Sequence, residues 1–524
     1  MNSETYVITQ DTKSVMGTIF SEPLDDSNED YFIELAQALN IALPSTVDLT
    51  MYRENTIEDA LGVRVREIID SEPNSIFIIF DRFLGAKLEL DPSTMGSVAR
   101  FSITRAVNGT KVPRPGNSSF ELQIQKLLKR FPDLNVRPVY LVDDGFFTGG
   151  TVMDFKTFLA DAGVNLNLAG AIGFIGNGVS SQVVDIPLTI LNKVDDLYEW
   201  IDIRDFGIFG GKRLDAGKMN LVASAIPYIA PWSDGAGASL NKSPRFFEIS
   251  KRMINAQIAL LRAYVEQAQK NLTFRDLINA GFAFPTNFEK TIPVSLDMDP
   301  IEYLERCIQL IEAEEQREVF IFDMDGTLYE LDGENKGFEG SSLQQEIERN
   351  AIRFICEKEN IDEASSVTIF EEAKSDPIGA SAFLSRKYGI SREAYFDVVW
   401  NVDPTNILKT DSLLIEWLRS KTRGSIGSNQ PKLVLLTSAP RVWMNNVIST
   451  LGLTNIFEVT YTAENFGTKA DIFQILAGRY QTNKITSIGD QMKSDIIPAQ
   501  ELGFNTCLVD GPAAVIKFLL VSEQ

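Results

Sequence analysis

The stretch Val319-Phe-Ile-Phe-Asp-Met-Asp-Gly-Thr-Leu328 decides how the 524-residue chain is read. Four apolar residues in a row, too short for a helix, read as a buried parallel strand. The strand ends on Asp323, a second carboxylate follows at Asp325, and Gly326-Thr327 turn the chain. Open α/β sheets place ligands beyond the carboxyl ends of their strands. Two acids spaced i and i+2 at such a point suit a nucleophile, a proton donor and a hard-metal site.

Three later stretches repeat this logic. Leu433-Val-Leu-Leu-Thr437 reads as a strand that ends on a hydroxyl, where Thr437 and the N–H groups of Ser438 and Ala439 suit a phosphoryl oxygen. Lys469 opens a helical pattern. Ile485-Thr-Ser-Ile-Gly-Asp490 is a strand ending on an acid, with Asp495 five residues further on. Strand-Asp-x-Asp-Gly-Thr, strand-Thr, Lys and Gly-Asp-(x)4-Asp, in this order, resemble the four motifs of the haloacid dehalogenase-like (HAD) phosphatases over roughly residues 320 to 515. The run Phe-Asp-Met-Asp-Gly-Thr-Leu-Tyr looks closest to the pyrimidine 5′-nucleotidase and phosphoglycolate phosphatase branch.

The resemblance implies catalytic roles for Asp323, Asp325, Thr437 and Lys469. Asp323 would attack phosphorus to form an aspartyl-phosphate, and Asp325 would protonate the leaving alkoxide and then deprotonate water. Lys469 would steady the charge. It also implies Mg2+ held by Asp323, the Asp325 carbonyl and Asp490, with Asp495 in support. Helical patterns at 342–359, 366–375, 379–388 and 392–399 look like a cap of about 332–410 inserted after the first strand. Residues 412–420 resume as helix.

Working back toward the N-terminus, Pro138-Val-Tyr-Leu-Val-Asp-Asp-Gly-Phe-Phe-Thr-Gly-Gly-Thr-Val152 is the second informative stretch. Val139 to Val142 read as a strand, Asp143 and Asp144 sit at its end, and 145–150 read as a turn. Thr151 then opens a helix. Backbone N–H groups at a Gly-rich turn and a helix N-terminus bind phosphate. Thr148 and Thr151 add hydroxyl donors, and paired carboxylates accept from vicinal hydroxyls, so a ribose 5-phosphate fits. The stretch resembles the phosphoribosyl pyrophosphate (PRPP) motif of type I phosphoribosyltransferases. The resemblance implies that Asp143 and Asp144 hold the ribose and that Gly145, Thr148, Gly149, Gly150 and Thr151 cradle the 5-phosphate. Arg82, in a charged turn at 81–85 after a strand at 75–80, falls where that family has its pyrophosphate loop.

Pro92 to Phe120 contains no acid but holds Arg100, Arg105, Lys111 and Arg114. It reads either as a solvated face or as a mobile loop closing over a polyphosphate, the place of the family's flexible loop. Residues 1 to about 75 read as a supporting lobe, with helical spacing from 29 to 43. Around 204–213, glycines lead to Lys212-Arg213, a plain turn or a base or phosphate contact. Residues 227–244 read as loop and 246–270 as an amphipathic helix, its stripe explained by core packing or by an oligomer interface. A helix continues over 275–280, and 282–300 reads as a Pro-punctuated linker. Asp297-Met-Asp299 copies the motif letters with no strand before it, so those acids read as caps of a helix at 301–315.

Composition sets limits. Net charge is −23, against sequence-independent binding of nucleic acid or anionic membrane. With no histidine in the chain, catalytic triads and zinc–histidine sites are excluded, and proton transfer falls to carboxylates, Lys, Tyr or water. Three scattered cysteines, no visible signal peptide and no membrane-spanning run point to a cytoplasmic protein.

The expectation is therefore α/β, with two doubly wound parallel-sheet domains joined by a mainly helical segment. The boundaries are 1–200 phosphoribosyltransferase-like, 201–315 helical accessory region and 316–524 HAD-like. The expected partners are PRPP, a nucleobase-like acceptor and a phosphorylated small molecule, with a homo-oligomer left open. Two alternatives stay open: a PRPP or nucleotide sensor controlling a phosphatase, and a bacterial stress or phage-defence effector.

Overall fold

The computed structural model describes residues 4–20, 30–106, 110–177, 185–213, 224–233, 238–240, 243–285, 292, 294–376, 379–421, 424 and 426–522. The chain is α/β and divides into two units, Met1–Ile311 and Glu312–Gln524, with the boundary inside the helix Pro300–Glu315.

In the second unit, strands β14 (Val319–Phe322), β15 (Lys432–Leu436), β16 (Val459–Tyr461), β17 (Ile485–Gly489) and β18 (Asn505–Leu508) form an all-parallel sheet ordered β16-β15-β14-β17-β18. The chain runs outward from β14 on one side and from β17 on the other. Strand order therefore reverses between β14 and β17, and a ligand crevice opens beyond their carboxyl ends at such a reversal. Asp323 and Asp490 each immediately follow one of these two strands. Between β14 and β15 lie the helices Ser342–Glu359, Glu363–Lys374, Ala380–Tyr388, Arg392–Val399 and Ser412–Ser420. Ser341, Asp362, Ser391 and Asp411 cap four of them through their side chains.

The first unit repeats the plan. Strands β3 (Ile76–Ile79), β4 (Val98–Arg100), β7 (Val139–Phe146), β8 (Leu168–Gly176) and β9 (Leu188–Lys193) form a parallel sheet ordered β4-β3-β7-β8-β9, which reverses between β3 and β7. A second parallel sheet joins β10 (Leu197–Asp202), β1 (Glu4–Gln10) and β2 (Val47–Arg53). The basic segment carries β4 and a small hairpin of β5 (Thr104–Arg105) with β6 (Lys111–Val112), so it is not all loop; its Gly109 lies outside the described residues.

The structure corrects several local expectations. Residues 81–85 are no turn: the Asp81 carboxylate accepts the Leu84 N–H and caps a helix, Arg82–Leu90. Strand β7 does not stop at Val142. It runs through the acid pair to Phe146 because β8 stays in register beside it, Gly145 opposite Ile175 and Phe146 opposite Gly176. Gly145 is thus a strand residue, and a Cβ there would lie 2.4 Å from the Trp200 ring. The turn shrinks to residues 147–149, and the helix opens at Gly150. Residues 201–311 carry the helix Phe246–Ala268 but also β11 (Lys212–Arg213), β12 (Ser224–Ile226) and β13 (Phe284–Pro285), a three-stranded sheet. Of the acids read as caps, Asp299 accepts the Ile301 N–H, whereas Asp297 pairs with Arg275. Gly235, Gly237 and most of 286–293 lie outside the described residues. Among the described residues, no helix is long and apolar enough to cross a membrane.

Candidate functional site

Asp323 leaves β14 with its N–H donated to Ile488 of β17, which locks the ends of the two strands together. The chain then turns at Gly326, whose φ is +77°. A Cβ at Gly326 would lie 2.3 Å from Asp490 Oδ2, so the missing side chain lets Asp490 lie against the turn. The π-helical turn Met492–Ile496 carries Asp495 back to the strand ends; Ser487 Oγ donates to the Asp495 carbonyl and Gln491 N–H to its Oδ2.

Carboxylate oxygens of Asp323, Asp490 and Asp495 all lie within 4.8 Å of one another. Lys469 Nζ reaches Asp323 Oδ1 at 2.5 Å and Asp495 Oδ1 at 2.7 Å. The lysine is placed by a reciprocal capping box: it is the first residue of the helix Lys469–Arg479, whose N-cap Thr468 exchanges hydrogen bonds with Asp471. Asp323, Lys469 and Asp495 are buried.

Burial pushes Asp323 up to about 8 and also raises Asp490, with Asp495 adding repulsion to both and Lys469 opposing it. Three acids facing one ammonium hold two surplus negative charges when ionised. Asp490 Oδ1 is buried and has no hydrogen-bond partner. An oxygen-only donor set with a surplus of two charges and an orphaned carboxylate oxygen fits a hard divalent cation such as Mg2+.

Asp325 is turned away from this cluster. Its Oδ1 accepts from the Tyr329 hydroxyl and from Trp443 Nε1 at 3.3 Å, and Trp443 Nε1 also donates to Tyr329 Oη at 3.0 Å. Its Oδ2 faces Thr437 Oγ1 at 3.5 Å. The Thr437 oxygen in turn accepts the Ala439 N–H at 3.0 Å. Burial raises Asp325 above the ordinary carboxylate value, and the Tyr329 and Trp443 bonds pull it back. Neutral donors hold Asp325, whereas Asp323 lies in the carboxylate cluster against Lys469. The structure therefore brings together Asp323, Asp325, Thr437, Lys469, Asp490 and Asp495. Tyr329 and Trp443 were not read from the sequence as site residues; Tyr329 stands four residues from Asp325, whereas Trp443 gives no local signal.

In the first unit, Asp143 and Asp144 lie where strand order reverses. Burial pushes Asp143 up to about 7 and Asp144 well above its ordinary value, with Asp143 itself repelling Asp144. Gly149, at φ +70°, precedes a helix N-terminus with no side-chain cap, and Gly150 N–H reaches Thr148 Oγ1 at 3.4 Å. Thr151 is the second residue of that helix. Arg82 does not serve the acid pair through its hydrogen bonds: it donates to the carbonyls of Ala280 (2.5 Å) and Gly281 and stacks over Phe282. The arginine that the sequence did not single out for the acid end is Arg204, largely covered and paired with Asp11 and Asp202. Asp81, Asp144, Asp202 and Arg204 line one small cleft with Asp11. Asp11 and Asp202 stand at the ends of β1 and β10, a convergence that no contiguous stretch announces.

No protein-family profile and no curated protein matches the chain. Among solved structures, a magnesium-bound putative HAD-hydrolase, YfnB from Bacillus subtilis, is 21% identical, with a TM-score of 0.23, covering 37% of this chain and 87% of that one. A putative β-phosphoglucomutase from Thermotoga maritima is 20% identical, TM-score 0.22, covering 38% and 90%. A 2-haloacid dehalogenase from Pseudomonas syringae pv. Tomato DC3000 is 16% identical, TM-score 0.24, covering 37% and 87%. At such values the functional reading rests on the residues themselves.

Proposed function

We propose that the second unit is a Mg2+-dependent phosphomonoesterase of the HAD type. The observation that carries this reading is the clustering of Asp323, Asp490 and Asp495 with the orphaned Asp490 Oδ1 at one strand-order reversal. A divalent cation held by Asp323, Asp490 and Asp495 would supply neutralisation of phosphoryl charge. Asp323 attacks phosphorus, the P–O ester bond breaks, and the leaving oxygen takes a proton from Asp325. The Asp325 carboxylate then takes a proton from water; the hydroxide attacks phosphorus, the P–O bond to Asp323 breaks, and phosphate leaves. Lys469 holds Asp323 in place for attack, and the Thr437 hydroxyl with the Ser438 N–H receives phosphoryl oxygens, while the Ala439 N–H, expected to join them, instead fixes Thr437 Oγ1. A screen of phosphorylated metabolites with Mg2+ should find phosphate release that Asp323→Asn abolishes. Hydrolysis unchanged in that variant rejects the reading.

For the first unit we propose binding of a phosphorylated ribose, PRPP being the expected ligand. Support comes from the acid pair lying beside an uncapped helix N-terminus with Gly149 and Gly150. Transfer of the ribose to a nucleobase-like acceptor would complete a bifunctional nucleotide-metabolism protein. Engagement of Arg82 by backbone carbonyls favours the second reading, a sensor that binds without turnover. Calorimetry with PRPP separates binding from none, and released pyrophosphate with candidate bases separates transferase from sensor. No PRPP binding rejects both.

A further inference from the structure

Tyr329 and Trp443 are both fully buried, and their polar atoms converge on one oxygen of Asp325. They form a chain in which Trp443 Nε1 donates to Tyr329 Oη and Tyr329 donates to Asp325 Oδ1. Each donor polarises the next, which strengthens the last bond. The single Trp443 N–H is shared between Tyr329 Oη and Oδ1, so a proton on Oδ1 would confront the Tyr329 O–H and, at longer range, that N–H. Oδ2 meets a weaker donor, the Thr437 hydroxyl at the long distance of 3.5 Å, which a proton on Oδ2 displaces at little cost. A carboxylic acid carries one donor oxygen and one acceptor oxygen, and here the surroundings decide which is which.

We infer that Tyr329 and Trp443 are positioning residues that hold the transferable proton of Asp325 on Oδ2, on the Thr437 side where the leaving oxygen departs. The inference rests on the phosphomonoesterase reading above. Neither residue touches substrate; each acts through Asp325. In the step concerned, the O–H bond at Oδ2 breaks as the ester P–O bond breaks. The proton passes to the leaving oxygen, and the charge left on the carboxylate is met at Oδ1 by the two donors already in place. Without them the carboxyl can rotate, and the proton spends time on the wrong oxygen.

The test uses leaving groups that differ in their need for a proton. An alkyl phosphate such as glycerol phosphate departs as a strong base and needs one; p-nitrophenyl phosphate departs as a stable phenolate and does not. Because kcat/KM covers events only through the first phosphoryl transfer, the later water step does not enter it. With Mg2+ present, Tyr329→Phe and Trp443→Phe should each lower kcat/KM for the alkyl ester by about 10²-fold, the low end of what a general acid supplies. The aryl ester should change by no more than about 3-fold, well short of a general acid's share. The ratio of the two esters, measured on one preparation, cancels any loss of folded protein. An equal fall for both esters, or no change in either, overturns the inference. Asp323→Asn is run alongside: if it hydrolyses both esters like the wild type, the phosphomonoesterase reading fails instead.

Discussion

Single residues carry more than their neighbours in two places. Gly326 sits at φ +77° with the Asp490 carboxylate where a side chain would be. Gly326→Ala should displace Asp490, abolish Mg2+-dependent hydrolysis and cost about 1–2 kcal/mol from the left-handed backbone alone; Mg2+ titration and urea unfolding check both. Glu314 is the second. Fully buried, it accepts from Gly427 N–H, Lys432 Nζ, Tyr480 Oη and Arg317, while Arg317 also forks onto Glu458. Removing one partner of such a network strands the others: Glu314→Ala should destabilise the second unit by about 3–5 kcal/mol in urea. Burial pushes the Glu314 carboxyl up, but Lys432 and Arg317 outweigh it and hold it below the ordinary 4.5. As the pH falls below 4.5 the unfolded chain takes up this proton first, so the network's contribution is lost on acidification. Thermal unfolding of wild type against Glu314→Gln between pH 3 and 7 should show the difference shrink at the acid end.

At the scale of elements, strand ends and helix starts aim the chemistry. The helix Lys469–Arg479 presents Lys469 because its first turn is fixed by the Thr468–Asp471 box. Asp471→Ala, which removes the carboxylate that accepts the Gly467 and Thr468 N–H groups, should cost about 1 kcal/mol and lower kcat of the proposed hydrolysis, since a loosened first turn lets Lys469 Nζ leave Asp323. Strand β7 predicts the opposite pH trend to Glu314. Burial raises Asp143 from the ordinary 3.8 to about 7, so between those values the folded form keeps a proton that the unfolded chain has lost. Stability of the first unit should therefore fall as the pH rises through that window. Asp143→Asn should flatten the dependence, read as unfolding temperature from pH 4 to 8; an unchanged slope would mean that Asp143 titrates near its free value.

For the whole molecule, two units repeat one device, acids at the reversal of a parallel sheet. If the readings are independent, Asp323→Asn should lose hydrolysis and keep PRPP binding, and Asp143→Asn/Asp144→Asn should do the reverse. Loss of both in either variant contradicts separate sites.

The sequence alone determined buried strands at 319–322, 433–437 and 485–490, within a residue of the observed 319–322, 432–436 and 485–489, because short apolar runs ending on Asp or Thr carry their signal in adjacent residues. It likewise placed Asp323, Asp325, Thr437, Lys469, Asp490 and Asp495 at or just beyond strand ends or at a helix start. Tertiary structure decided what adjacency cannot encode. Strand β7 outruns its expected end because β8 lies beside it, and Arg82 opens a helix because Asp81 caps it. Trp443 meets Asp325, Glu314 meets Lys432, and Arg317 meets Glu458, each across more than a hundred residues of chain. Hydrogen bonds and buried charges act over a few ångströms in space, so only the folded path of the backbone could say which of these groups would find one another.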